Sequence, residues 1–119
     1  MDRKQMRRQY KETARPAGLY AVRNTVDGTV LIGTSTDLPG MLNRQRFQLE
    51  MGSHPDKRLQ ADWNRLGADA FSFEVLDEID PPADPDQDLR EDLTTLRDMW
   101  LGKLASEGQP LYPHSARGA

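Results

Sequence analysis

At 119 residues the chain is long enough for one modest hydrophobic core and too short for two. Apolar residues make up 36% of it, enough for a folded unit, and the absence of cysteine excludes disulfides, thiolate catalysis and cysteine-based zinc sites. A formal net charge of −3 gives no general attraction to nucleic acid, so any such binding has to come from local patches.

Residues 1–16 form a basic arm, with Arg3, Lys4, Arg7, Arg8, Lys11 and Arg15 set against Asp2 and Glu12. Good helix formers run up to Arg15-Pro16, where the residue before proline is pushed out of helical geometry. Met6 and Tyr10 lie on one face, so the arm is expected to be a short helix lying on the domain. Its cations suit a phosphate backbone; the plainer reading is a solvated helix. The charged N-terminus has no apolar segment behind it and no run reaches membrane-spanning length. A cytoplasmic protein with no membrane role is therefore expected.

Two short apolar strands, Gly18–Arg23 and Thr29–Gly33, flank Asp27-Gly28, a pair that tolerates the positive φ angles of a tight hairpin turn. A helix follows, capped by Thr36 or Asp37, burying Leu38, Leu42 and Leu49 and ending at Gly52. Residues 52–56 make a loop, and Pro55 suits the first position of a second helix. That helix presents Leu59, Trp63 and Leu66 on one stripe and stops at Gly67. His54, in the loop, has the chemistry to bind a phosphate or carry a proton, while the plainer reading is a loop or cap residue. His114 is the only other histidine, and without a His-x-x-x-His or carboxylate–histidine spacing no zinc site is expected.

Phe71–Leu76 alternates apolar and polar residues and is the third predicted strand. Asp77, Glu78, Asp80, Asp84, Asp86, Asp88, Glu91 and Asp92 then crowd around Pro81, Pro82 and Pro85. A carboxylate cluster for a hard cation is one reading. The spacing lacks the calcium-loop pattern, which favours an acidic, proline-stiffened linker over 77–87. The last helix is expected from Asp88 to Ala105, with Leu89, Leu93, Leu96, Trp100 and Leu104 on one stripe.

The order strand, turn, strand, helix, with Gly18-Leu19-Tyr20, Leu31-Ile32-Gly33 and the block SHPDKRLQADWNRLGADAFSFEVLDEI, resembles the GIY-YIG endonuclease family, in particular its homing-type members. The resemblance covers about residues 17–113 and leaves 114–119 as a tail. It implies an α/β fold: a small three-stranded, mainly antiparallel sheet with helices on its faces, here with the N-terminal helical arm added.

The resemblance also implies a site. The first-motif tyrosine, which activates or orients the attacking water in the family, is Tyr20. Tyr20 also has a plainer reading, as a half-buried strand tyrosine packed beneath a helix. The second-motif tyrosine is replaced by Leu31, which has no hydroxyl, and the helix arginine by Met41. The histidine or tyrosine one turn later is Gln45, and the closing asparagine is Pro113. The metal-binding glutamate of the last helix is Arg97, whose cation cannot ligate magnesium. Asp98 lies about 100° round that helix and Glu91 nearly two turns back, so neither replaces it. Arg44, about 60° round and one turn along from Met41, is a substitute guanidinium. Arg44 and Arg46 join the arm as candidate nucleic-acid contacts.

The expectation is a catalytically degenerate GIY-YIG-like domain that binds nucleic acid or a protein partner, with no metal and no cofactor. One alternative is an active divalent-metal endonuclease using Tyr20, Arg44, a relocated carboxylate and Mg²⁺. Another is a small structural or interaction protein with no nucleic-acid role. The sequence sets no oligomeric state.

Overall fold

The computed structural model describes residues 15–80 and 86–117. Its elements are β1 (Ala17–Asn24), β2 (Val30–Ser35), α1 (Leu38–Glu50), α2 (Lys57–Leu66), β3 (Phe71–Ile79) and α3 (Arg90–Ser106). Short 3-10 turns occupy Ala68–Ala70 and Pro113–Arg117. The sheet order is β2-β1-β3 with antiparallel pairing throughout, as the α/β expectation requires. The basic residues 3–11 and residues 81–85 of the expected linker lie outside the described residues. Among the described residues no helix is long and apolar enough to cross a membrane.

β1 is the central strand, so it is buried on both faces, and Leu19, Tyr20, Ala21 and Val22 have no exposed surface. Alternation sends these side chains to opposite faces. Val22 packs with Leu31 of β2, Leu49 of α1, and Leu59 and Trp63 of α2. Leu19 and Ala21 pack with Ile32 on the other face, beneath Leu96, Trp100 and Leu104 of α3. Helices thus close both faces of a very small sheet.

The first glycine of the motif serves this packing. A Cβ on Gly18 would overlap the carbonyl oxygen of Asp77, so only glycine lets β3 approach here. The β1–β3 register shifts immediately beyond, between Leu19 and Tyr20.

Several local expectations are corrected. The hairpin turn is not built on two positive φ angles: Gly28 has φ +82°, but no other residue type among the described residues has positive φ. Asn24 organises a longer turn, with its Oδ1 accepting from the Val26 N–H (2.9 Å) and its carbonyl from the Gly28 N–H (2.8 Å). Asp37 does cap α1, its Oδ1 accepting from the Gly40 N–H at 3.1 Å. Leu42 is only half-buried, and Gln45 occupies the buried stripe with Leu38 and Leu49.

The cap of α2 is Asp56, whose Oδ1 accepts from the Arg58 and Leu59 N–H groups, so Pro55 precedes the helix instead of opening it. β3 extends to Ile79 and absorbs Asp77 and Glu78 from the expected linker; Trp100 Nε1–H donates to Asp77 Oδ2 at 3.0 Å. α3 begins at Arg90, not Asp88. Ser115, assigned to a tail by the sequence, is fully buried, and its hydroxyl accepts from the Ile32 N–H (3.0 Å). With Tyr112 N–H donating to the Val30 carbonyl at 2.8 Å, this segment covers the edge of β2.

Candidate functional site around Tyr20

Tyr20 lies in the middle of β1 with its side chain buried beneath α1. Its hydroxyl accepts a hydrogen bond from Gln45 Nε2 at 3.3 Å. The Gln45 Oε1 is 2.5 Å from His54 Nε2, and His54 Nδ1 accepts from the Asp56 backbone N–H at 3.0 Å. An accepting Nδ1 places the proton of a neutral imidazole on Nε2, where it is donated to Gln45. That bond orients the amide so that its NH₂ faces Tyr20 and, at 3.6 Å, the Met41 sulfur.

The chain of bonds continues outward. Asp56 caps α2 with Oδ1 and accepts from the His114 N–H with Oδ2 at 2.9 Å. His114 Nδ1 is 3.5 Å from the same oxygen. His54 N–H donates to Gln60 Oε1 (3.1 Å), and Gln60 Nε2 donates to the Leu49 carbonyl (3.0 Å). Gln45, His54, Asp56 and Gln60 are all buried, and each is satisfied by the next.

Burial pushes the Tyr20 phenol up to about 12, only partly opposed by the positive charge of Arg44. The hydroxyl is therefore neutral at physiological pH. Burial also holds His54 below its ordinary value; the Asp56 carboxylate pulls it up, and His114 pushes it further down.

The other positions fall in different surroundings. Leu31 is fully buried in the core opposite Val22, in a cluster with Leu49, Leu59, Trp63, Phe71 and Tyr112. Met41 is half-buried beside Gln45, and Arg44 is exposed on α1. The Arg46 guanidinium stacks 4.6 Å over the Phe73 ring, which gives it a packing role on β3. Arg97 is on α3, the helix packed against Leu19 and Ala21; its Nη2 is 3.5 Å from Asp98 Oδ1 and its Nε is buried without a hydrogen-bond partner. Pro113 is exposed at the start of the last 3-10 turn. Its neighbour Tyr112 is buried, donating to Asp62 Oδ2 at 2.7 Å and accepting from Asn24 Nδ2 at 3.2 Å.

Sequence reasoning noted Gln45 only as a lost histidine or tyrosine and did not find its link to His54. A signal was present: Gln45 falls three residues after Leu42 and four before Leu49, on the apolar stripe of α1. An amide on a buried face requires a partner. Among the described residues, no three His, Cys, Asp or Glu side chains come together in a way that could hold a metal ion.

No family model matches the chain. Over 63 residues, 53% of its length, it is 32% identical to intron-associated endonuclease 1 of Enterobacteria phage T4, a match spanning 25% of that protein. Its fold is similar to the catalytic domain of the homing endonuclease I-TevI, with a TM-score of 0.65 and 25% identity, covering 81% of this chain and 95% of that domain. A mutant of the I-TevI catalytic domain gives a TM-score of 0.64 at 24% identity, covering 80% of this chain and 90% of the other.

Proposed function

We propose that this chain, which belongs to the GIY-YIG family by fold and by sequence, is a nucleic-acid-binding domain that no longer cuts. The observation that carries the reading is the closed surrounding of Tyr20: a buried, neutral phenol whose oxygen accepts from the uncharged amide of Gln45. Cleavage by a one-metal nuclease requires an activated water, and a metal and a guanidinium to stabilise charge developing on the phosphate. Beside the Gln45 amide that bonds Tyr20 this chain offers the thioether of Met41 instead, and Leu31 lies in the core opposite Val22. Arg44 remains as an exposed cation on the same helix, suited to a phosphate. The endonuclease names of the relatives make nucleic acid the ligand class proposed here.

One observation favours a second reading, an active divalent-metal nuclease: the charge of Arg44 acts on Tyr20 and eases its ionisation. One experiment separates the two. Fluorescence anisotropy with labelled DNA and RNA, run with and without Mg²⁺, is paired with a plasmid-nicking assay on the same protein. Binding without nicking supports the proposal. Metal-dependent nicking that disappears in Tyr20→Phe overturns it, and absence of binding at low salt moves the ligand class to a protein partner.

A further inference from the structure

We propose that His54 is a pH-operated latch: as the neutral imidazole it clasps the α1–α2 connection onto Tyr20 through Gln45, and a proton taken on its Nδ1 opens that clasp. The argument rests on the commitment of both ring nitrogens. Nε2 is bonded to Gln45 Oε1, and Nδ1 accepts from the Asp56 N–H at 3.0 Å. Only the neutral ring can make both bonds. A proton added to Nδ1 points a donor at a donor, and either the ring or the Asp56 backbone has to move.

Neither movement stays local. Asp56 is the cap of α2 and also holds the His114 N–H, so its displacement loosens the helix start and the C-terminal turn together. Movement of the ring instead leads into the recess beside it, lined by Ser53, Pro55, Lys57, Gln60 and Asn64. The Gln45 carbonyl then loses its donor, and the amide that holds the Tyr20 hydroxyl is free to turn.

The Asp56 carboxylate favours the imidazolium, His114 opposes it, and burial opposes it most. From α1 the uncharged Gln45 bonds the ring, with Tyr20 of β1 bonded behind it, neutral until far above physiological pH. From α2, Lys57 lines the same recess. The balance sets the opening on the acid side of the ordinary histidine value, where the entering proton is the only reactant.

The test is a titration of the whole chain by long-range ¹H–¹⁵N NMR of the imidazoles, from about pH 7.5 down to about pH 4.5, with amide hydrogen exchange at each step. Expected at neutral pH is the Nε2–H tautomer for His54. Its protonation should coincide with a fall of about tenfold or more in the exchange protection of the Asp56 and Arg58 amides, taken relative to the intrinsic rate at each pH, and with a shift of the Tyr20 ring signals. His54→Asn keeps an acceptor for the Asp56 N–H but cannot titrate, and should abolish the step; His114→Asn should keep it. The proposal is overturned by an Nδ1–H tautomer at neutral pH, by protonation of His54 without change at Asp56 or Tyr20, by a step that survives His54→Asn, or by one lost in His114→Asn. Should His54→Asn fail to fold, the tautomer and exchange data on the unmodified chain still decide.

Discussion

Gln45 donates its side-chain amide to the Tyr20 hydroxyl at 3.3 Å, which joins the first helix to the central strand through a buried polar contact. The contact sits where an apolar stripe runs on either side, so its loss cannot be repaired by water without opening the core. Gln45→Leu should leave both the Tyr20 oxygen and the His54 Nε2–H without this partner. The expected cost is about 2–3 kcal/mol, the penalty for removing a hydrogen-bond partner from buried polar groups less a small gain in apolar contact. Urea unfolding monitored by tryptophan fluorescence gives the number, and a change under about 0.5 kcal/mol would show that the relay contributes no net stability.

Tyr112 makes a second buried junction, donating to Asp62 of α2 at 2.7 Å and accepting from Asn24 at the end of β1. Its hydroxyl is spent on cross-linking three segments. Tyr112→Phe keeps the ring and removes only those bonds, so a loss of about 1–2 kcal/mol is expected. Nucleic-acid affinity should be unchanged at a temperature where both forms are folded. A fall in affinity with intact stability would instead assign the hydroxyl to the binding surface.

The strand and helix order was legible because each element carries its own period: alternation in Phe71–Leu76, and spacings of three and four in α2 and α3. The assignment of Leu31, Met41 and Arg97 to site positions came from counting along a motif, and the fold puts Arg97 on the helix that covers Leu19 and Ala21, the face of the sheet opposite Tyr20. The relay was not legible. Tyr20, Gln45 and His54 are separated by 25 and 9 residues, and no local pattern announces a bond between them. The hairpin turn was misread for a related reason: the Asn24 side chain takes a backbone role there that the Asp27-Gly28 pair alone does not reveal. Pro55 was misplaced because the carboxylate of its neighbour Asp56 reaches two helix amides and so defines the cap.

Acid should destabilise the fold through two groups of opposite charge type. Glu74 is held below the usual carboxylate range by Arg23, at 2.8 Å, and then by the Ser72 hydroxyl. A depressed carboxyl contributes stability that is present above its unfolded value and lost as pH falls through the folded one. Both partners are about one-third exposed (34% each), so solvent screening limits the contribution to under about 1 kcal/mol. His54, depressed as a base, also binds fewer protons folded than unfolded, so stability falls as pH drops below its ordinary value of 6.5. Thermal melts should show two acid limbs. Arg23→Gln should flatten the lower one and leave the upper; a lower limb unaffected by Arg23→Gln would mean that other carboxylates dominate it.

The exposed charge of Arg44 gives the sharpest test of a phosphate-binding surface on α1. If Arg44 contacts one phosphate of duplex DNA, Arg44→Gln should weaken binding without regard to sequence. It should also reduce the slope of log affinity against log salt by about 0.9. Arg46 is the internal control. Its guanidinium is engaged on Phe73 at 4.6 Å, so Arg46→Gln should alter stability more than the salt slope. The measurement is an anisotropy series from about 25 to about 200 mM salt, in which counterion release dominates the affinity. Equal slopes for the unmodified chain and Arg44→Gln, with binding intact, would remove α1 from the interface. A slope lowered by Arg46→Gln and not by Arg44→Gln would put the phosphate on the β3 side of the helix.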